Sequence, residues 1–190
     1  MLSDYHMHFE YGEYDEEWVK LFFEQAEKMG LKEIGITEHS HGFVEFKDMY
    51  YDEVILDNSE IGKFQQKWID NSMVKEKGYS VKFRIEMCNF KNQEKVKQII
   101  EKYNFDYIIV SIHFIKGWGF DFSLLKDEFT KRDLVSIWKD YVDEIEYVAN
   151  TGLYDILGHP FNLRMFQNIP NPADVHSLLE RAAVILHNNN

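Results

Sequence analysis

Histidine and glutamate residues recur where short apolar runs of this sequence end, and both residue types can bind metal ions. The first run carries the pair His6 and His8. Alternate residues of a strand project to one face, so the two imidazoles can bind one cation about 2.0 Å from each nitrogen. The later runs deliver His39, Glu86, His113 and His159. Nitrogen and oxygen ligands of this mix suit zinc, manganese or iron, so the sequence predicts a divalent metal site.

Each of these residues also has an ordinary structural explanation when it is taken alone. Two histidines two positions apart occur by chance, and a single loop histidine is more often structural than a ligand. Glu86 is harder to explain, because a carboxylate in apolar surroundings needs cations or several donors to stay charged. It is therefore predicted to bridge two metal ions. Cys88 has no partner thiol and is predicted to pack in the core.

Two neighbours of His39 could assist such a site. Glu38 could accept a hydrogen bond from a histidine ring and fix its tautomer, or it could be a solvated loop acid. His41 could bind metal or substrate, although its place in the sequence is typical of an exposed loop residue. The predicted site does not depend on either of them.

The elements that must position these residues alternate in type along the chain. Strand-like runs are predicted at 2–7, 33–37, 80–87, 107–112 and 154–157. Helix-like runs are predicted at 15–29, 59–77, 92–103, 133–150 and 172–187, with long loops at 41–58 and 116–131. This alternation is typical of βα units around a parallel sheet, whose carboxyl edge carries the site. Five successive strand ends would therefore bring the six candidate residues to one edge.

Local signals refine two of these elements. In the first helix, acidic residues at 15–17 suit the amino-terminal turn and Gly30 ends the helix. The helical stripe that is predicted to face the core consists of Trp18, Leu21, Phe22, Gln25 and Ala26. Near the last strand, Pro160 disfavours a helical conformation at the preceding residue, so His159 is predicted to be extended.

Composition narrows the function. The chain has 190 residues and a net charge of −12, and an acidic surface repels nucleic acid. It also repels a small phosphorylated substrate unless bound cations reverse the local field. The single cysteine excludes an internal disulfide, a cysteine-rich zinc module and a CxxC redox centre. With neither a leader pattern nor an apolar run of about 20 residues, the sequence predicts one cytoplasmic domain without nucleic-acid or membrane partners.

Longer strings of the sequence resemble a known family. The HxH pair, the Glu38-His39 pair, SIHFIKGWGFD at 111–121 and DILGHP at 155–160 are similar to motifs of the polymerase and histidinol phosphatase (PHP) superfamily, in its histidinol-phosphatase branch. The resemblance covers nearly the whole chain. It implies that residues 1–190 form a single PHP metal-dependent phosphoesterase domain of the α/β class, a distorted (β/α)7 TIM-like barrel with two to three divalent metal ions.

The resemblance also implies roles for the metal ligands. His6 and His8 would bind one metal ion, and Glu86 would bridge from it to a second. His113 and His159 would bind this second ion. Glu86, His113 and His159 would therefore be the catalytic residues.

A third metal ion and a phosphate-binding residue are implied as well. His39 would bind the third ion, and Glu13 is the candidate that joins it. The alternatives to Glu13 are Glu10, Tyr14 and Asp15. Arg164 resembles the family arginine that binds the substrate phosphate, and its other explanation is an ordinary surface arginine.

The sequence departs from the family pattern at its C-terminal end. The family closes its site with a late Asp-x-His motif. No such motif follows Asn190 in this sequence. Two metal ions would each lose a ligand, and the barrel would lack its last strands in this chain. A truncated sequence and a degenerate member with weaker metal retention both explain the difference.

The function implied by the resemblance is hydrolysis of L-histidinol phosphate to L-histidinol and phosphate, a step of histidine biosynthesis, by a hydroxide that bridges two metal ions. Aromatic and acidic loops at 43–51 and 118–122 could recognise the cationic substrate, or they could cap the barrel. Three alternatives stay open. They are a PHP phosphoesterase acting on another small phosphate or nucleotide, a nuclease or polymerase-associated module, which the net charge disfavours, and a metal-binding but inactive domain that offers a partner surface.

Overall fold

Parallel strands in chain order form the main sheet. The computed structural model describes residues 2–9, 12, 15–46, 48–49, 81–103 and 105–189. The strands are β1 (Ser3–Met7), β2 (Glu33–Ile36), β3 (Val81–Cys88), β4 (Tyr107–Ser111), β5 (Phe114–Ile115), β6 (Trp118–Gly119) and β7 (Ile156–Leu157). Strands β1, β2, β3, β4 and β7 lie side by side in that order, and each neighbouring pair is parallel. The predicted parallel α/β class is confirmed.

Helices occupy most of the connections between these strands. They are α1 (Glu16–Met29), α2 (Gln93–Tyr103), α3 (Leu134–Ala149) and α4 (Pro172–Asn188). Short 3-10 helices lie at Ser40–Gly42, Val44–Phe46, Ser123–Lys131 and Asn162–Arg164. The helix predicted at 59–77 lies outside the described residues. Within the described residues, no helix combines the length and the apolar content that crossing a lipid bilayer requires.

The ends of α1 follow from its sequence. The Asp15 carboxylate accepts a hydrogen bond of 2.8 Å from the backbone N–H of Trp18, which satisfies one of the free donors of the first turn. Gly30 ends the helix with a φ of 72°, a conformation that glycine adopts without steric cost. Both predicted ends are therefore confirmed.

The predicted core stripe of α1 is partly wrong. Leu21 is 53% exposed, whereas Val19 and Phe23 are buried. These two side chains pack in one cluster with Phe9 from the end of β1 and Ile34 of β2. The sheet therefore contacts α1 along a stripe displaced from the predicted one, because the position of β1 and β2 selects the buried face.

A short hairpin occupies part of the loop predicted at 116–131. Strands β5 and β6 pair antiparallel, and positive φ angles of 50° at Lys116 and 82° at Gly117 form the turn between them. In the segments 43–51 and 118–122, the buried aromatic side chains among the described residues are Phe43, Phe46, Trp118 and Phe120. These four residues pack in the core, and their burial favours the alternative that these loops cap the barrel.

The amino-terminal half of the sheet holds a buried arginine. Arg84 is 3% exposed, and its Nη1 donates a hydrogen bond of 2.9 Å to the Ile34 carbonyl oxygen. Its guanidinium carbon lies 4.8 Å and 4.1 Å from the ring centroids of Tyr5 and Tyr107. A Cβ atom at Gly35 would lie 2.3 Å from Arg84 Nη1, so glycine is needed there. Cation–π contacts and packing thus stabilise this half of the sheet.

Candidate metal centre

The carboxyl edge of the parallel sheet carries the six residues that the sequence singled out. They lie within or just beyond β1 (His6, His8), β2 (His39), β3 (Glu86), β4 (His113) and β7 (His159). Backbone pairing continues past the strand ends, because Glu86 N donates to Glu38 O at 3.0 Å and Gly158 N donates to Val110 O at 2.9 Å. This continued pairing fixes where each candidate side chain leaves the backbone.

Glu86 lies at the centre of the group and is 1% exposed. Its Oε2 atom is 2.6 Å from His39 Nδ1, and its Oε1 atom is 2.9 Å from His159 Nε2. Three further ring nitrogens face the same carboxylate at slightly greater distances, namely Nε2 of His6 at 3.4 Å, of His8 at 3.5 Å and of His113 at 3.5 Å. One carboxylate is therefore surrounded by five imidazoles.

Hydrogen bonding alone does not account for this arrangement. A carboxylate offers about four lone-pair positions, and N–H···O bonds normally measure about 2.7–3.2 Å, so the contacts of 3.4 and 3.5 Å are long. Two ligands that each lie about 2.1 Å from one tetrahedral metal ion are about 3.4 Å apart. The spacing therefore fits divalent cations held between the imidazoles and the carboxylate.

Two groups of three residues place their ligand atoms within 4.8 Å of one another, and Glu86 belongs to both. The first group contains His6, His8 and Glu86, and the second contains His39, Glu86 and His113. The second group contains His39 together with Glu86 and His113, whereas the resemblance implies that His159 binds a metal ion with Glu86 and His113. The assignment of ligands to individual metal ions stays a prediction.

The electrostatics of the site favour cation binding. Burial alone would raise the pKa of Glu86, but the ring nitrogens of His113, His159 and His39 that face its carboxylate outweigh burial and hold that pKa well below its usual range. Burial and the neighbouring His39 lower the pKa of His8 to about 3. A charged carboxylate and a neutral imidazole are the forms that bind metals.

Asp121 is a functional candidate that the sequence analysis did not single out. Its Oδ2 atom lies 2.5 Å from His113 Nδ1. Burial disfavours a charge on His113, but the neighbouring Cys88 sulfur and the contacts with the Asp121 and Glu86 carboxylates outweigh burial and raise the pKa of His113 well above its ordinary value. Surroundings that favour a proton on this ring also favour a metal cation. Asp121 follows His113 by eight residues, and a two-stranded hairpin lies between them. Sequence spacing alone therefore does not indicate this contact.

A buried polar network holds the backbone at His113. The Asn89 Oδ1 atom accepts hydrogen bonds of 3.2 Å from the backbone N–H groups of both His113 and Phe114. Its Nδ2 atom donates to Glu144 Oε2 at 2.9 Å, and Lys91 Nζ donates to the same carboxylate at 2.7 and 2.5 Å. The network thereby links the end of β3 to α3 and to the segment that follows β4.

The structure also places the two neighbours of His39. Glu38 is 8% exposed and accepts a hydrogen bond from the backbone N–H of Phe9, so the solvated-loop explanation is wrong. His41 is half-buried, and its ring centroid lies 4.9 Å from that of His39, so the expectation of an exposed loop residue is also wrong. Burial and His39 lower the pKa of His41 to about 4. Cys88 is buried in the core, as predicted.

The turn at His159 differs from the prediction. His159 has a φ of 25°, so its backbone is not extended, although Pro160 follows it. A Cβ atom at Gly158 would lie 2.3 Å from Ser111 Oγ, so the close approach of β7 to β4 requires glycine. Backbone strain of this kind is common at functional sites, and here it accompanies the contact between His159 and Glu86.

Comparison with known proteins agrees with this geometry. The family model of the PHP domain matches residues 4–190, which is nearly the whole chain. The chain belongs to the PHP domain family. The matched range contains Glu86 and the five histidines that surround it, and every strand of the sheet except its first residue, Ser3.

Two individual proteins are similar to this PHP domain. A probable histidinol-phosphatase of Deinococcus radiodurans is 36% identical over 64 residues, which cover 34% of this chain and 25% of that protein. The match thus spans a quarter of the relative's length. The crystal structure of histidinol phosphate phosphatase from Lactococcus lactis, complexed with zinc, L-histidinol and phosphate, has a TM-score of 0.68 and 20% identity. It covers 99% of this chain and 70% of that chain, and the likeness establishes a shared fold.

Only one of the four candidates for the further ligand of the third metal ion lies within the described residues. Glu13, Glu10 and Tyr14 lie outside the described residues. Asp15 is described, and its carboxylate caps α1, so this residue has a structural role. Glu13 stays a prediction.

Arg164 lies at the end of the 3-10 helix Asn162–Arg164. It is exposed, and it lines an open pocket of about 450 Å³. The other lining residues are His159, Pro160, Phe161, Asn162 and Met165. Arg164 therefore lines the same pocket as His159, one of the histidines that contact Glu86.

An Asp-x-His spacing does occur at Asp174 and His176 within α4. The His176 side chain is 73% exposed and lies 3.3 Å from Glu180 on the same helix. This pair is an ordinary helical surface contact. It does not supply the closing motif that the family resemblance implies.

Proposed function

We propose that this PHP domain is a metal-dependent phosphatase that hydrolyses L-histidinol phosphate to L-histidinol and phosphate. The shell of five imidazoles around the buried Glu86 carboxylate supports the proposal most directly. Two to three divalent ions, zinc, manganese or iron, would be held by His6, His8, His39, Glu86, His113 and His159, with Glu13 as a further ligand. The names of the similar proteins support the choice of substrate.

The roles of the residues follow from their chemistry. When bound, the divalent ions supply a Lewis acid for the phosphate oxygens and acidify water near neutral pH. Glu86 would neutralise part of the charge of two ions at once, while His6 and His8 would hold one ion and His113 and His159 the other. Arg164 binds the phosphate through paired N–H groups. The cations also reverse the local field of a chain with a net charge of −12.

We further propose that the parallel sheet belongs to a distorted (β/α)7 barrel and that residues 1–190 form one domain. The order of the strands, which follows the chain, supports this architecture, as does the fold likeness to the Lactococcus lactis enzyme. In such barrels the catalytic residues come from the carboxyl ends of several strands. Glu86 and the five histidines around it likewise come from the carboxyl ends of five strands.

Phosphate release from purified, metal-loaded protein tests the proposal. L-histidinol phosphate should be hydrolysed with a higher kcat/KM than other compounds in a panel of sugar, amino-alcohol and nucleotide monophosphates. A preference for another small phosphate would support the second candidate, a PHP phosphoesterase of different specificity. The burial of Phe43, Phe46, Trp118 and Phe120 favours that candidate, because these side chains do not select an imidazole. Metal binding without any turnover would overturn both activities and leave an inactive metal-binding domain.

Replacing Arg164 with alanine is expected to raise KM for the phosphorylated substrate about 10- to 100-fold with a smaller change in kcat. The expectation follows from losing hydrogen bonds to a charged group, which are worth about 1.5–3 kcal/mol. The KM of Arg164→Lys should lie between those of the wild type and Arg164→Ala, since lysine keeps the charge and loses the paired N–H geometry. Steady-state kinetics measures both constants. Lys126→Ala, which removes another surface cation, is the control. Unchanged kinetics in Arg164→Ala would show that Arg164 is an ordinary surface arginine.

A further inference from the structure

One carboxylate oxygen of Asp121 contacts two different parts of the site. Its Oδ2 atom lies 2.5 Å from His113 Nδ1 and accepts a hydrogen bond of 2.9 Å from Asn162 Nδ2. His113 follows β4, whereas Asn162 begins the 3-10 helix that ends at Arg164. Asp121 itself follows β6. Three separate segments therefore meet at one oxygen atom.

The contact with His113 determines which ring nitrogen faces Glu86. A carboxylate at Nδ1 favours the tautomer that carries its proton on that nitrogen, so the lone pair of Nε2 stays available to a metal ion on the side of the ring that faces Glu86, whose Oε1 atom is 3.5 Å away. The His113 backbone is held separately, because Asn89 Oδ1 accepts its N–H. Asp121 thus controls the orientation of the ring and its tautomer, while Asn89 fixes the position of the main chain.

The contact with Asn162 fixes the start of the short helix. Asn162 and Arg164 both line the open pocket beside His159. Within this helix, Arg164 N donates a hydrogen bond of 3.0 Å to Phe161 O, so the position of Arg164 depends on the position of the turn. Losing the Asp121 contact would free the turn without removing the arginine.

We propose that Asp121 is a positioning residue that orients His113 for metal binding and, through Asn162, holds the phosphate-binding turn of Arg164 against the metal centre. The second half of this inference rests on the proposed phosphatase function. Asp121 acts through His113 and Asn162, so its removal should change both metal affinity and phosphate affinity. Removal of Asn162 should change phosphate affinity alone.

Competition with a chromophoric chelator measures Zn²⁺ affinity, and calorimetry measures binding of inorganic phosphate to the Zn²⁺-loaded protein. Asp121→Ala should weaken Zn²⁺ binding about 10- to 100-fold, the usual effect of removing a carboxylate that supports a ligating histidine. Asp121→Asn keeps the side-chain volume and one acceptor, so the loss of Zn²⁺ affinity in this variant should be smaller. Asn162→Ala should leave Zn²⁺ affinity unchanged and weaken phosphate binding roughly 2- to 10-fold, the effect of one ordinary hydrogen bond.

Asp127→Ala and Asp127→Asn are the matched controls, because Asp127 is an exposed aspartate in the neighbouring 3-10 helix Ser123–Lys131. Circular dichroism and a melting curve verify folding, and Asp121→Asn keeps the test decisive if the alanine variant does not fold. Wild-type Zn²⁺ affinity in both Asp121 variants would overturn the inference, as would a wild-type chain that binds no Zn²⁺. Weakened Zn²⁺ binding in a chain without phosphatase activity would refute the proposed function and support the role of Asp121.

Discussion

Replacing Glu86 with glutamine is expected to reduce phosphate release about 10³-fold, the upper range for losing one electrostatic group in an active site, and to lower the metal content of the purified protein. Glutamine has the same shape but lacks the charge that we propose bridges two cations. The five surrounding imidazoles would then face a neutral amide in a buried position. Cation binding would lose its shared counter-charge.

Elemental analysis and single-turnover phosphate release measure the two effects separately. Glu24→Gln is the matched control, since Glu24 pairs with Lys20 on the surface of α1 and should behave as wild type. Retained metal with lost turnover would assign Glu86 a role in the chemical step alone. Normal turnover and normal metal content together would refute the bridging role.

Removing the metal ions with a chelator is expected to abolish phosphate release and to destabilise the fold. A ligand present at 100 times its Kd stabilises the native state by about 2.7 kcal/mol. For a chain of this length, that corresponds to a melting temperature lower by roughly 5–10 °C in the metal-free protein. The reason is that Glu86 and its histidines come from five strands, which bound cations would cross-link.

Thermal melting and activity are measured before chelation, after chelation and after adding back Zn²⁺ or Mn²⁺. Restored activity with a raised melting temperature is the expected result. The Glu86→Gln variant serves as the control, because added metal should stabilise it much less than the wild type. Full activity in the chelated wild type would contradict a metal-dependent mechanism.

The positions of the six strand-end residues could be anticipated from sequence because two simple rules act together. Residue alternation places His6 and His8 on one side of β1, and parallel strands end at one edge. Neither rule depends on how helices pack. The convergence of His39, His113 and His159 on Glu86 therefore follows from strand order alone.

Other features depended on contacts between distant segments and could not be anticipated in this way. The buried face of α1 is chosen by Phe9 and Ile34, which is why Leu21 is exposed and Phe23 is buried. The positive φ of His159 accompanies its contact with Glu86 and departs from the local preference before proline. Asp121 reaches His113 only because the β5–β6 hairpin folds back.

The buried Arg84 and the Glu86 centre lie on the same strand, two residues apart, yet they serve different halves of the sheet. Arg84 contacts Tyr5, Tyr107 and the Ile34 carbonyl, whereas Glu86 contacts histidines. Substitutions around Arg84 would change how much folded protein a cell accumulates, and substitutions around Glu86 would change what each folded molecule does. Natural selection can therefore adjust abundance and chemistry on one strand by separate mutational routes.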